Sequence, residues 1–240
     1  GFGWNHEQIR EILTPMAKSG SEPIGSMGDD TPLAVLSRRP RLLFDYFKQL
    51  FAQVTNPPID SIREKVVMSL STFMGWRRSW LEQTAEHAKL MTVDSPFLLE
   101  YELHALTKIA DPGFQCATIY SHFDAAHGPA DMETGLAEIC RQAEAAVSEG
   151  KTLIILSDRD TDEKNVPIPM LLAVGTVHHH LIRVGKRMRV SIVCESGEAC
   201  TTHHFAALVG FGASAVCPYV AIDTLRQGVE AGDFGDLDVE

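Results

Sequence analysis

The chain has 240 residues, 45% of them apolar and 22% charged, and carries a formal net charge of −11. That length accommodates one large α/β domain or two small ones, and the apolar fraction suffices for a sizeable core. The negative charge argues against nucleic acid and anionic membrane surfaces as partners, because both need a basic footprint, and no apolar run approaches the ~20 residues that span a bilayer.

Cys116, Cys140, Cys194, Cys200 and Cys217 form an odd set without a CxxC pair, which reads as buried, reduced thiols of a cytoplasmic protein. No basic segment followed by an apolar one opens the chain. A start at Gly1 reads as a segment cut from a longer polypeptide.

Asn5 followed by Gln8 resembles a capping box, and Ile9, Ile12, Leu13 and Met16 continue at helical spacing to about Ser19-Gly20. Ser21 to Leu70 is the stretch around which the chain is organised. Two turns, Gly25 to Pro32 and Thr55 to Asp60, bracket an apolar segment, and their glycine, proline, Asn and Asp content makes them rigid. Between them Pro40 suits the first turn of a helix carrying Leu43, Phe44, Phe47, Leu50, Phe51 and Val54. The rings Phe44, Tyr46, Phe47 and Phe51 read as core packing. From Ser61 to Lys89 the pattern is helical in places (Ile62, Val66, Val67, Leu70), interrupted by Gly75 and the cluster Trp76 to Trp80, whose Arg77 and Arg78 could bind an anion or stack on the tryptophans but better suit an ordinary surface patch.

After Phe114 the rhythm becomes regular. Strands are expected at Gln115–Tyr120, Thr152–Ser157, Arg189–Cys194 and Ser214–Cys217. Helices are expected at Asp131–Glu149, about Pro167–Val184, around Thr202–Val209 and from about Val220. Alternating strands and helices with short connections demand a parallel sheet. The expected fold class is therefore α/β, a parallel sheet of βα repeats resembling a partial (β/α) barrel or an open doubly wound sheet, preceded by a helical segment. The whole chain reads as one domain: residues 1–110 mostly helical with the two rigid turns, 111–232 built of βα repeats, and 233–240 a flexible acidic tail.

In such folds ligands bind beyond the carboxyl ends of the strands, here the loops beginning at Ser121, Ser157, Glu195 and Pro218. Glu195 to His204 gathers two carboxylates, a thiol and two imidazoles, and His178, His179 and His180 precede it. An autonomous barrel-like enzyme or metal site could be built from these loops. Against it, consecutive helical residues point ~100° apart and no HxxxH spacing occurs, so the expectation is a polar network capping the sheet, with histidines held by neighbours such as Glu195 or Asp158. No nucleophile elbow and no Walker lysine is present, and Gly210-Phe-Gly212 reads as a close-packing site between a helix end and the next strand.

Two blocks carry a family resemblance. GSMGDDTPLAVLSRRPRLLFDYFKQLFAQVTNPPIDSIRE, together with Leu156-Ser-Asp-Arg159, VPIPMLLAVGTVHHHLIRVG from Val166 and ESGEACTTHHFAALVGFGASAVCPYVAIDTL from Glu195, resembles the central domain of the glutamate synthase large subunit. That resemblance implies a non-catalytic domain linking a glutaminase domain to an FMN and iron–sulfur synthase domain of the same polypeptide, lining part of the tunnel that carries ammonia between them. It places tunnel or interface roles on Ser26, Met27, Thr55 and Asn56. It implies no cofactor and no metal in this domain, with FMN and the iron–sulfur cluster held elsewhere in the full-length enzyme.

Overall fold

The structure is a computed structural model and describes residues 2–20, 23, 36–38, 41–47, 62 and 68–235. The chain divides into two compact units, Leu70–Tyr219 and a second made of Phe2–Ser69 with Val220–Glu240. The two segments expected to form rigid turns, with Ser26, Met27, Thr55 and Asn56, lie outside the described residues, as does Phe51.

The second unit begins with the capping box. Asn5 Oδ1 accepts the Gln8 N–H at 2.8 Å, and Gln8 Oε1 accepts the Asn5 N–H at 3.0 Å. Helix α1 (His6–Gln8) passes through a π-helical stretch, Ile9–Leu13, into α2 (Thr14–Ser19). The widened turn precedes Pro15, which has no N–H to donate, and Thr14 bonds the Ile9 carbonyl through its backbone N–H and also through its hydroxyl, the latter at 2.8 Å. Leu43–Phe47 forms a 3₁₀ turn in which Phe44 is fully buried, whereas Tyr46 and Phe47 are about half exposed. Only Phe44 among these described rings is core.

The first unit opens with a departure from helix. Strand β1 (Thr72–Met74) pairs antiparallel with β2 (Met91–Val93), and Met74 is fully buried. Helix α3 (Glu100–Thr107) follows and buries Leu103 and Leu106. The βα repeats then run β3 (Cys116–Tyr120), β4 (His122–Asp124), α4 (Asp131–Ser148), β5 (Leu153–Ser157), β6 (Asn165–Pro167), α5 (Met170–Arg183), β7 (Ser191–Glu195), α6 (Thr202–Gly210) and β8 (Ala215–Cys217). The parallel sheet has four strands in the order β3-β5-β7-β8 and is open, while β4 and β6 form a separate antiparallel ribbon beside it.

Burial explains the pattern. β5 is covered on both sides along its whole length, so it reads Leu-Ile-Ile-Leu rather than alternating. Each such side chain taken from water contributes roughly 1.5–3 kcal/mol. Helix α4 buries Gly135, Ile139, Cys140, Ala143, Ala146 and Val147, one stripe of a 3.6-residue period. A side chain at position 135 would lie 2.7 Å from Phe123 Cβ, so Gly135 lets β4 lie directly on the helix.

Register is what makes a site. Tyr120, Ser157, Glu195 and Cys217 pair across the sheet in one row. The next residues, Ser121, Asp158, Ser196 and Pro218, therefore emerge side by side at one end, and all are buried. The outer edge of β8 is closed by the 96–98 segment, where the Leu98 N–H bonds Val216 O at 2.9 Å and the Val216 N–H bonds Pro96 O at 2.7 Å.

Helix α7 (Tyr219–Glu230) carries the chain into the second unit. In this unit Phe234 is 3% exposed, and a side chain at Gly228 would lie 2.3 Å from its ring; residues 236–240 of the acidic tail lie outside the described residues.

Candidate functional site at the strand ends

Asp158 is fully buried directly after β5. Ser196 Oγ donates to it at 2.9 Å and the Gly197 N–H at 2.9 Å, and the Tyr219 hydroxyl also bonds it. Burial raises its pKa to about 6 against the pull of those donors. The charge of Asp158, after burial itself, holds the Tyr219 hydroxyl protonated far above its ordinary range. Glu198 accepts the Met170 N–H in the first turn of α5 at 2.8 Å, yet burial pushes its pKa up to about 7.

Beside this lies a charged fork. Arg159 donates through Nε to Glu195 and through Nη2 to Glu100, while Ser157 Oγ donates to the other oxygen of Glu195 at 2.6 Å. The guanidinium sits 4.0 Å from the ring centroid of Tyr219. Glu100 comes from α3, so this one arginine joins α3, β5, β7 and the start of α7. An open groove of about 450 Å³ runs along it, lined by Glu100, Leu103, His104, Thr107, Thr118, Tyr120, Ile155, Arg159 and Glu195.

The polar groups here are directed at one another. Ser157 gives its proton to a carboxylate rather than to an imidazole, which leaves it unactivated as a nucleophile. The thiols are held protonated by burial, Cys200 and Cys217 at about 12 and Cys116 at about 11. The arrangement braces loops from four elements and presents a mainly anionic rim.

His178, His179 and His180 do not join it. Helix α5 starts at the strand ends and runs away from them, so its last turns lie toward the other end of the sheet. His180 Nε2 lies 2.9 Å from Glu144 of α4, a carboxylate shared with Lys186 at 2.8 Å. His178 Nδ1 accepts from Arg187 Nε at 2.8 Å, and His179 is exposed. His204 Nδ1 accepts the Cys200 N–H at 3.1 Å. Among the described residues no three His, Cys, Asp or Glu side chains converge on a common metal position. Gly212 does serve close packing, but against a helix rather than a strand: at φ 119 its missing side chain would lie 2.2 Å from His178 Nδ1.

The sequence singled out the loops beginning at Ser157 and Glu195 by their place after strands, and the structure brings Ser157, Asp158, Glu195 and Ser196 together. It missed Glu100 of α3 and Tyr219 at the start of α7. Only the strand-end position of Pro218-Tyr219 offered a signal for the latter.

Fold and site together define a class: an open parallel α/β domain wound like consecutive barrel repeats, whose ligand end is closed by its own side chains. Residues 1–239 match the family model of the glutamate synthase central domain, and the chain belongs to that family. It is 48% identical over 230 residues to ferredoxin-dependent glutamate synthase 2 of Synechocystis sp., covering 94% of this chain and 14% of that protein. It is 47% identical over 231 residues to the glutamate synthase [NADPH] large chain of Bacillus subtilis, covering 96% and 15%. With glutamate synthase [NADH] of Schizosaccharomyces pombe the identity is 45% over 228 residues, covering 94% and 11%. The chain thus spans a small fraction of the length of these relatives.

Proposed function

We propose that the chain acts as a non-catalytic linking domain within a longer glutamate synthase polypeptide. It positions the glutaminase and FMN-binding synthase domains and lines part of the path by which ammonia passes between them, supporting glutamate formation from glutamine and 2-oxoglutarate. The observation that supports this most is the strand-end network: where a parallel α/β domain would hold a substrate, Asp158, Arg159, Glu195, Ser196 and Tyr219 are bonded to each other. The same set does not fit a flavin phosphate. Its arginine is already held by two carboxylates, and Asp158, Glu195 and Glu198 add negative charge. FMN and the iron–sulfur cluster are accordingly assigned to other domains of the polypeptide.

On this reading the two rigid turns serve the tunnel. Ammonia has to cross unprotonated and without escaping to water, which favours a narrow apolar wall such as Met27 with small polar groups, Ser26, Thr55 and Asn56, at its mouth. The test uses the full-length enzyme and measures glutamate formed per glutamine consumed. Met27→Ala and Thr55→Met are expected to retain glutamine hydrolysis and lower that ratio severalfold. An unchanged ratio in both variants overturns the tunnel assignment.

A further inference from the structure

At the opposite end of the sheet the chain gathers positive charge that nothing above uses. The Gly75 N–H donates to Ser191 Oγ at 3.0 Å and the Arg77 N–H to Met188 O at 2.8 Å, which pins the segment after β1 to the start of β7. On that seat Arg78 lies 3.4 Å from the centroid of the Trp76 ring and Arg189 lies 5.5 Å from it. Arg77 is close enough to Arg187 to disfavour its charge further after burial has done so. Glu86 pairs with Arg78 at 3.2 Å and Lys89 at 2.9 Å. Among the described residues no carboxylate pairs with Arg77 or Arg189, both exposed, and Glu82 on the same loop does not reach them.

Apolar surface adjoins these cations. Phe73 is 50% exposed, Met188 47%, Trp80 89% and Leu81 96%. Trp80 lines a shallow groove with Glu82, Gln83, Thr84 and His87, and His87 Nε2 is shielded from water with no hydrogen-bond partner among the described residues. Like charges gathered around a tryptophan, beside side chains left in water, cost free energy in the isolated domain. Tryptophan and arginine are also the residues that carry most of the energy of protein interfaces.

We infer that this face docks a carboxylate-bearing surface of another domain of the same polypeptide, with Arg77 and Arg189 receiving carboxylates and Trp80 and Leu81 making the apolar contact. The inference rests on reading the chain as one domain of a longer protein. The partner's chemistry follows from charge complementarity: the patch is basic within a chain of net charge −11, and guanidinium forks match carboxylates in pairs. The length of the relatives, of which the chain covers 11–15%, supplies the polypeptide that could carry that surface.

The experiment uses the full-length enzyme bearing Arg77→Lys and Arg189→Lys, which keep the charge and introduce amines. A zero-length carbodiimide then joins those amines to any carboxylate in contact, and mass spectrometry of peptides identifies it. The expected result is a cross-link from position 77 or 189 to an Asp or Glu of the same polypeptide outside residues 1–240, its yield falling roughly tenfold between about 0.05 and about 0.5 M salt. Cross-links only to Glu82 or Glu86, cross-links only between isotopically distinguished copies, or none at all overturn the proposal. This readout is independent of coupling: a cross-link with an unchanged ratio in the Met27 and Thr55 variants keeps the docking face and discards the tunnel, and the reverse outcome does the opposite.

Discussion

Asp158 and Glu198 make the strand-end brace sensitive to pH. Both are held above their ordinary values chiefly by burial, Asp158 at about 6 and Glu198 at about 7. A carboxyl with a raised pKa in the closed loop binds its proton more tightly closed than open, so lowering the pH through that value stabilises the closed form. Native-state hydrogen exchange at the Gly197 amide, corrected for intrinsic rate, should therefore show roughly tenfold less opening at pH 5 than at pH 7.5. The tenfold figure is the share of Asp158, whose carboxylate accepts the Gly197 N–H, so Asp158→Asn should remove that share and leave the share of Glu198. Arg159 gives a second residue-scale prediction. Arg159→Ala removes the two ion pairs of the fork and the stack on Tyr219, at about 1–3 kcal/mol of local opening free energy, since the fork is one-third exposed and partly screened. Arg159→Lys restores charge without the fork and should recover part of the loss. Protection in the Lys variant equal to that of the unmodified chain would show the geometry of the fork to be irrelevant, whereas equal loss in the two variants would show that charge without the fork contributes nothing.

At the scale of elements, strength of patterning decided what could be read. The strands β3, β5, β7 and β8 and helices α4 to α7 were legible because buried strands form apolar runs and the helices carry a stripe ended by turn residues. The pairs β1 with β2 and β4 with β6 were not, because strands of three residues hold too little alternation to declare a period. The contact of Glu100 with Arg159 spans 59 residues and has no local signature. Nor does the approach of α5 to the α6–β8 connection, where Arg187 donates to His178 Nδ1, Val190 O and Gly212 O. That junction yields an element-scale prediction. Gly212→Ala meets both a positive φ and the His178 ring, at about 2–4 kcal/mol, whereas Gly210→Ala, with nothing within 4 Å, should be neutral or slightly stabilising. Exchange protection in α5 and β8 measures both, and equal effects would mean that the close approach does not matter.

For the molecule as a whole, the relatives constrain what this segment does not decide. Their names assign three electron donors, ferredoxin, NADPH and NADH, yet each is 45–48% identical to this chain over nearly its full length. The linking role proposed above is one such enzymes share whatever their donor, and the similarity is compatible with it. The strand ends fit this, since their cations are held by carboxylates and none of the described side chains there is left to receive a pyridine nucleotide phosphate. Replacing the matching segment of the Bacillus subtilis large chain with this one should therefore leave NADPH as the donor. On the proposed linking role the ratio of glutamate formed to glutamine consumed should stay within about twofold, because the two segments are 47% identical over 231 residues and rigid docking of similar surfaces is the default expectation. Steady-state rates with NADPH and with reduced ferredoxin, taken alongside that ratio, check both halves. A chimera that accepts ferredoxin places donor choice in this segment, and one that keeps NADPH but wastes glutamine places the failure at the face carrying Arg77 and Arg189 or at the turns of Met27 and Thr55, which the cross-link from position 77 or 189 then distinguishes.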